Sequence, residues 1–312
     1  MGARRTLIQH FGKVEAPGAE AMTHPRCGTG MNPGRLVREF LDKQGIRPRK
    51  SLGQHFLVDS SALRRIIDAA ELSSVDTVVE VGPGPGVLTR ELLRKAGSVI
   101  AVEKDESIAE GLQQAHLGDP KIRILAGDML EVDLRELTGG APYKVVANLP
   151  YYVAAPILRR FLEAGSPPLR LVLLLQREVA ESIVAKPGDM SMISVATQVY
   201  AAGHIVSHVK PGSFYPAPKV DSSILRLDPY ERPRVFDREN ADSFFNIARA
   251  GFRARRKQIA NSLSLGLGIE RELIISALIS AGIDPKRRAE TLSVEEWGEL
   301  HRALGETEAH EA

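Results

Sequence analysis

Asn148-Leu149-Pro150-Tyr151 places an amide side chain, a rigid backbone and an aromatic face in four consecutive residues. That combination suits an aromatic amine as substrate. Such an amine is a poor nucleophile because its lone pair is delocalised into the ring. Asn148 Oδ1, with the backbone carbonyl of Leu149 or Pro150, could accept the two amine hydrogens. The nitrogen would then become pyramidal and aim its lone pair at a methyl donor. Proline fixes φ and stiffens the backbone there. Tyr151 offers a face on which an extruded base can stack. No strong base is required, because alkylation at nitrogen yields an acidic ammonium.

Upstream, Glu80-Val-Gly82-Pro-Gly84-Pro-Gly86 follows an apolar run and opens a helical pattern. Glycines let a backbone turn sharply and pass close to a ligand, and the helix start supplies free N–H groups. A dinucleotide site would have glycine or alanine where Val87 stands, so the spacing disfavours a pyrophosphate cofactor and a dinucleotide oxidoreductase. An adenosine cofactor with a methionine tail needs less room. Glu103 lies 21 residues after Gly82 and could accept both ribose hydroxyl hydrogens. Asp128 could accept the adenine exocyclic amine, with Met129 packed on the ring. Each feature alone fits a bland role, as a turn, a solvated charge or a packed tyrosine. Their common order at strand ends gives them weight together.

The elements that must position these residues are legible as periodicity. Strands are expected at Thr77–Val81, Val99–Glu103, Lys121–Ala126, Lys144–Ala147 and Leu169–Leu175. Helices at Val87–Lys95, up to Ala115 and at Ala155–Ala164 alternate with them. Alternation of this kind predicts a doubly wound α/β sheet, and the nearly continuous apolar run of the fifth strand suits a central position covered on both faces. Helices are expected at Arg177–Ala185 and Ile193–Ala201, and a late strand pair at Ile205–Val209 and Ser223–Leu227. After a boundary near Asp228–Pro233 only helical periodicity remains, at Ala241–Ala250, Arg255–Leu265, Glu270–Ala281 and Val294–Leu304. There are no internal repeats.

The 312 residues allow one large domain and a smaller one. At 43% hydrophobic and 26% charged, the chain has the composition of a folded protein. Its longest aliphatic run, Leu171 to Leu175, excludes a membrane-spanning helix. One cysteine, Cys27, allows neither an internal disulfide nor a multi-cysteine zinc site, and fits a reducing compartment such as the cytoplasm. No metal is expected, and nothing calls for more than a monomer. Residues 1–34 read as a disordered extension without signal-peptide character, with Met31 a second candidate start. Net charge is +2, but basic residues cluster: Met31–Arg65 holds eight against three acids, and five of nine residues in Arg249–Lys257 are basic. Two such blocks suit oriented binding of a polyanion.

Taken together, the motifs resemble the ribosomal RNA adenine dimethyltransferase family, in particular its small-subunit branch. The matching stretches are Lys50–Leu57, Glu80–Gly86, Glu103, Gly127-Asp128, Asn148–Tyr151, Phe214–Ser222, Phe252–Lys257 with Asn261, and Glu290–Glu296. They run in the family's order over roughly residues 35 to 305. The resemblance implies a Rossmann-like class I methyltransferase domain over 35–229, a smaller all-helical RNA-binding domain over 230–305 and an acidic tail over 306–312. It implies S-adenosyl-L-methionine as cofactor, with S-adenosyl-L-homocysteine as product. Gln54, His55, Leu57, Gly82, Gly84, Gly86, Glu103, Asp128, Met129 and Asn148 are the expected cofactor contacts. Asn148, Leu149, Pro150, Tyr151 and Phe214 are the expected catalytic set, with Phe214 opposite Tyr151 on the target base. His55 stands where the family often has Asn, and Ala217 where many relatives have proline. Leu149, rather than Ile, favours the small-subunit branch over enzymes acting on large-subunit RNA. The implied reaction is dimethylation of N6 on two adjacent adenines in the 3′-terminal hairpin of 16S rRNA, during small-subunit biogenesis. Arg47, Arg49, Lys50, Arg253, Arg255, Arg256 and Lys257 are the expected RNA contacts, with Arg287 and Arg288 added. The rival readings are action on 23S rRNA or DNA, and an assembly factor whose binding outweighs its methylation.

Overall fold

The computed structural model describes residues 32–49 and 52–311, apart from the side chains of Tyr151 and of residues 306–311. The proposed extension up to Met31, Cys27 and Lys50 lie outside the described residues. Nine strands are present among the described residues: β1 (Phe56–Leu57), β2 (Thr77–Val81), β3 (Ser98–Glu103), β4 (Ile122–Ala126), β5 (Lys144–Asn148), β6 (Arg170–Gln176), β7 (Ala201–Val209), β8 (Phe214–Tyr215) and β9 (Ser222–Pro229). Seven of them form one sheet of order β4-β3-β2-β5-β6-β9-β7. β2 to β6 are parallel, and β9 runs antiparallel between β6 and β7. The order reverses between β2 and β5, where an open α/β sheet leaves a crevice at its carboxyl ends.

Helices α1 (Pro33–Gln44), α2 (Ser60–Ala70), α3 (Val87–Lys95) and α4 (Glu106–Ala115) cover one face. Strand alternation divides the core: Val78, Val146, Val172 and Leu174 pack with Leu63, Ile66, Leu92 and Ile108 on that side. Val79, Val145, Leu171 and Leu173 point the other way, into a second core. That second core holds α5 (Leu134–Thr138), α6 (Ala154–Leu162), α7 (Arg177–Ile183) and α8 (Met192–Gln198). It continues without a break into α9 (Ala241–Phe252), α10 (Ile259–Leu267), α11 (Arg271–Ser280) and α12 (Val294–Glu311), through Phe244, Leu263, Leu278 and the fully buried Trp297. The expected boundary at Asp228–Pro233 coincides with the end of β9. Contacts nevertheless make the chain from Asn32 onward one unit.

Four local readings change. The helix expected to reach Ala201 stops at Gln198, and Ala201 opens β7. The helix expected from Arg255 starts at Ile259, because Arg253–Lys257 form a turn. α2 and α5, not foreseen, are capped by Asp59 and Asp133, each accepting two backbone N–H bonds. β1 and β8 pair with each other across 150-odd residues of chain, Phe56 opposite Tyr215 and Leu57 opposite Phe214. No helix among the described residues is long and apolar enough to cross a membrane.

Candidate active site

At the carboxyl ends of β2, β3, β4 and β5 lies a cleft open at its mouth, with ≈ 880 Å³ of space that includes open solvent. Gly82, Gly84, Glu103, Asp128, Met129, Asn148, Leu149, Pro150, Gln54, His55 and Phe214 all line it. Residues separated by as much as 160 positions in sequence thus converge on one space.

The glycines divide in role. Gly82 has φ +66, and a Cβ there would meet nothing within 4 Å, so the backbone borders open space. Gly84, at φ +56, is pressed by the Phe56 ring, 2.9 Å from where a Cβ would lie. Gly86 does not line the cavity. It caps α3 at φ +79, and its missing Cβ would sit 2.6 Å from Leu112 Cδ1, so it serves helix packing.

Glu103 ends β3 and is buried. Its two oxygens accept the N–H groups of Gly84 (3.0 Å) and Asp105 (2.9 Å). Each carboxylate oxygen keeps a lone pair for another donor. Burial raises its pKa, against the pull of those two bonds. Beneath it Glu80, fully buried, is pushed up to about 8 by burial, with Thr89 opposing and the charge of Glu103 adding. Asp128 carries an ion pair not foreseen from sequence: Lys104 Nζ donates to Oδ2 at 2.7 Å, while Oδ1 accepts the Leu130 N–H. Lys104 holds the Asp128 carboxyl below its ordinary range.

Asn148 closes β5. Its Nδ2 donates to the His55 carbonyl oxygen (2.9 Å), which assigns Oδ1 as the acceptor left for a ligand in the cavity it lines. His55 Nδ1 donates to the Pro216 carbonyl oxygen (2.7 Å). With the β1–β8 pair, these bonds fasten the segments around Gln54–Leu57 and Phe214–Pro216 to the end of β5. Gln54 Nε2 donates to Asp105 Oδ2 (3.0 Å), and its Oε1 accepts the Arg49 N–H (2.7 Å). Its amide therefore holds the loop in place. Leu57 is not brought to the cavity: it packs into the core on the α2 side, and Phe56 lines the cavity instead. Tyr151 starts a 3-10 turn, Tyr151–Val153, and its side chain lies outside the description. Tyr152, Val153, Ile157, Leu52 and Gly53 also line it and are not among the expected site residues.

Among the expected RNA contacts, Arg47 and Arg49 are exposed near the cavity, Arg49 with Asp105 Oδ2 at 3.6 Å. Arg253, Arg255, Arg256 and Lys257 are exposed on the turn between α9 and α10. Arg287 is otherwise committed, donating to Glu296, to Thr291 Oγ1 (3.1 Å) and to the Thr291 carbonyl. Arg288 lies 3.7 Å from Glu290.

A mostly parallel sheet with β9 inserted antiparallel, and a glycine turn at its switch point, is the fold of a class I methyltransferase. Two solved structures share it. A dimethyladenosine transferase from Plasmodium falciparum superposes with TM-score 0.70 at 24% identity, over 81% of this chain and 98% of that one. The 23S rRNA methyltransferase ErmE gives 0.64 at 28% identity, over 80% and 99%. The ribosomal RNA adenine dimethylase profile matches residues 45–304, and the chain belongs to that family of methyltransferases. It is 46% identical over 265 residues to the ribosomal RNA small subunit methyltransferase A of Dehalococcoides mccartyi, covering 85% of this chain and 91% of the relative. The protein of that name from Moorella thermoacetica is 45% identical over 286 residues, covering 87% and 97%.

Proposed function

We propose that this chain transfers methyl groups from S-adenosylmethionine to N6 of adenine in small-subunit ribosomal RNA. Two adjacent adenines of the 3′-terminal 16S hairpin each receive two. The observation that carries this reading is the Asn148 amide. Because its nitrogen is spent on the His55 carbonyl, its oxygen is the group that meets an incoming amine.

The cavity fits the cofactor. Gly82 leaves room that any side chain would fill, and the buried Glu103 keeps acceptor capacity suited to two vicinal hydroxyls. Asp128 beside Met129 offers an acceptor and an apolar surface for an adenine edge and face. When bound, S-adenosylmethionine supplies an electrophilic methyl group. The protein supplies orientation. Asn148 Oδ1 accepts one amine hydrogen, and a carbonyl of Leu149 or Pro150 accepts the other. This raises electron density on nitrogen and directs its lone pair. After one methylation a single N–H remains, and a single acceptor suffices for the second. Phe214, buried at the cavity wall, packs on the base. The apolar walls exclude water, which strengthens each of these polar contacts.

RNA reaches this cavity along exposed arginines, Arg47 and Arg49 at the mouth and Arg253–Lys257 on the α9–α10 turn, the latter in what we read as an RNA-binding helical region. Loop adenines suit the site because unpaired bases can be turned outward. The same surface would serve an assembly factor in the cytoplasm, acting as a monomer on an immature subunit. The test is transfer of labelled methyl from S-adenosylmethionine to undermethylated small subunits, followed by nucleoside analysis. N6,N6-dimethyladenosine in the 16S 3′ hairpin is the expected product. Label in naked 23S RNA but not in small subunits would refute the substrate assignment.

A further inference from the structure

Nine large hydrophobic side chains are exposed among the described residues, and two of them are aromatic: Tyr152, 55% accessible, and Tyr215, 41% accessible. Tyr152 stands at the cavity, and Tyr215 follows Phe214 of its wall. Tyr152 lies against Gly53, where a Cβ would be 3.5 Å from its Cε1. Tyr215 pairs with Phe56 in the small sheet, so both tyrosines flank the same short segment, Gly53–Phe56. Strand alternation makes β8 two-sided: Phe214 turns inward to the cavity wall, and Tyr215 turns out. Arg38, exposed on α1, holds its guanidinium 5.9 Å from the Tyr215 ring centroid.

An exposed ring leaves apolar area in water, a cost that binding of a flat apolar partner removes. A polyanion of flat bases fits the whole pattern: the rings accept base faces, and the neighbouring cations (Arg38, Arg47, Arg49) accept phosphates. Pulling one adenine into the cavity also breaks its stacking on the next nucleotide, which then needs a new platform.

We propose that Tyr152 stacks the base adjoining the adenine held in the cavity, with Tyr215 and Arg38 extending the platform along the strand. This rests on the reading that the chain acts on RNA adenine. Tyr152 is thus a positioning residue that sets which nucleotide pair is presented. An aliphatic side chain at the same place would keep the apolar surface and lose the flat face.

The probe is a labelled RNA hairpin with two adjacent adenines in its loop, and a second hairpin in which one of these is abasic. Both are bound in the presence of S-adenosylhomocysteine and followed by fluorescence anisotropy. Tyr152→Leu should bind the intact hairpin about tenfold more weakly than wild type, the scale of one lost base stack. On the abasic hairpin the same change should cost less than about twofold, since the partner is already gone. Tyr152→Phe should match wild type, and calorimetry sets an S-adenosylhomocysteine concentration that saturates each of the three proteins. Equal binding by Tyr152→Leu overturns the proposal, as does an equal loss on both hairpins. So does failure of the wild type to bind the intact hairpin. If binding behaves as expected but S-adenosylmethionine yields no methylated adenine, the stacking stands and the activity reading falls.

Discussion

Replacing Glu80 with glutamine removes a carboxyl that is wholly buried beneath the glycine turn and carries a proton around neutral pH, its pKa raised to about 8. In an unfolded chain the same group titrates near 4.5. The folded state therefore binds the proton more tightly. The stability this gives is fully present below pH 4.5 and is lost as pH rises through 8. Between pH 6 and pH 8 the folded carboxyl keeps a proton that the unfolded chain has already lost, so each of those two units favours unfolding. At about 1.4 kcal/mol per unit this costs about 3 kcal/mol. Glutamine keeps the shape and has no proton to lose. Urea unfolding of the two proteins at pH 6 and pH 9, without cofactor, brings out the effect, because titrating groups not coupled to Glu80 cancel in the difference and Glu103 is the one coupled to it. Wild type should lose about 3 kcal/mol more than Glu80→Gln over that interval. Parallel losses in the two proteins would refute the burial argument, and so would a wild type that gains stability at pH 9.

Asn148→Ala should lower the rate of methyl transfer by about 10²–10³, on the order of the loss of one preorganised polar partner, and lower S-adenosylhomocysteine and RNA affinities far less, through the freed His55 carbonyl. Single-turnover kinetics beside binding isotherms would show it, and a rate within tenfold of wild type would sink the role. Changing Arg255, Arg256 and Lys257 together to Gln should weaken RNA binding. It should also flatten the dependence of log affinity on log salt by up to about 2, near 0.7 for each lost phosphate contact. Gly82→Ala should cost only about 1–2 kcal/mol in unfolding titrations, the strain of a left-handed residue, yet sharply weaken cofactor binding because its methyl enters open space. Gly86→Ala should reverse that balance, with about 2–4 kcal/mol of stability lost through strain and collision with Leu112, and a smaller effect on cofactor affinity at saturating folded protein.

The residues at the ends of β2, β3, β4 and β5 were legible because local signals coincide there: an apolar run, then glycine, carboxylate or Asn-Leu-Pro. The family's class was legible from the same stretches. The small β1–β8 sheet was not, since each strand has two residues and exists only through the pairing of Phe56 with Tyr215. Leu57 is an expected cofactor contact through the family resemblance, whereas the side chain at the cavity wall is that of Phe56. In a strand, a shift of one residue exchanges the two faces. Gly86 read as ligand-facing because spacing alone does not distinguish open space from a neighbouring Leu112. Lys104 went unnoticed because an ion pair to Asp128 joins the ends of two strands, a relation that only the parallel register of β3 and β4 creates. Arg287 sits in a basic run, yet Glu296, nine residues on, claims it. Charge clusters in sequence do not reveal which members are already paired.

The helices α9–α12 and one face of the sheet share a single hydrophobic interior, with Trp297 at the far end and Val79 at the near one. The basic turn between α9 and α10 is therefore set relative to the cavity by packed side chains, not by a linker. Such a body acts as a gauge. On the proposed reading it would accept an RNA whose phosphate path and exposed adenine match two stations a constant distance apart, and an RNA of the right sequence but wrong curvature would not touch both. Selection by gauge also separates two kinds of change. Side chains around Asn148 alter how fast a captured base reacts. On the same reading, repacking near Trp297 would alter which folded RNA is captured, without a residue of the cavity being touched.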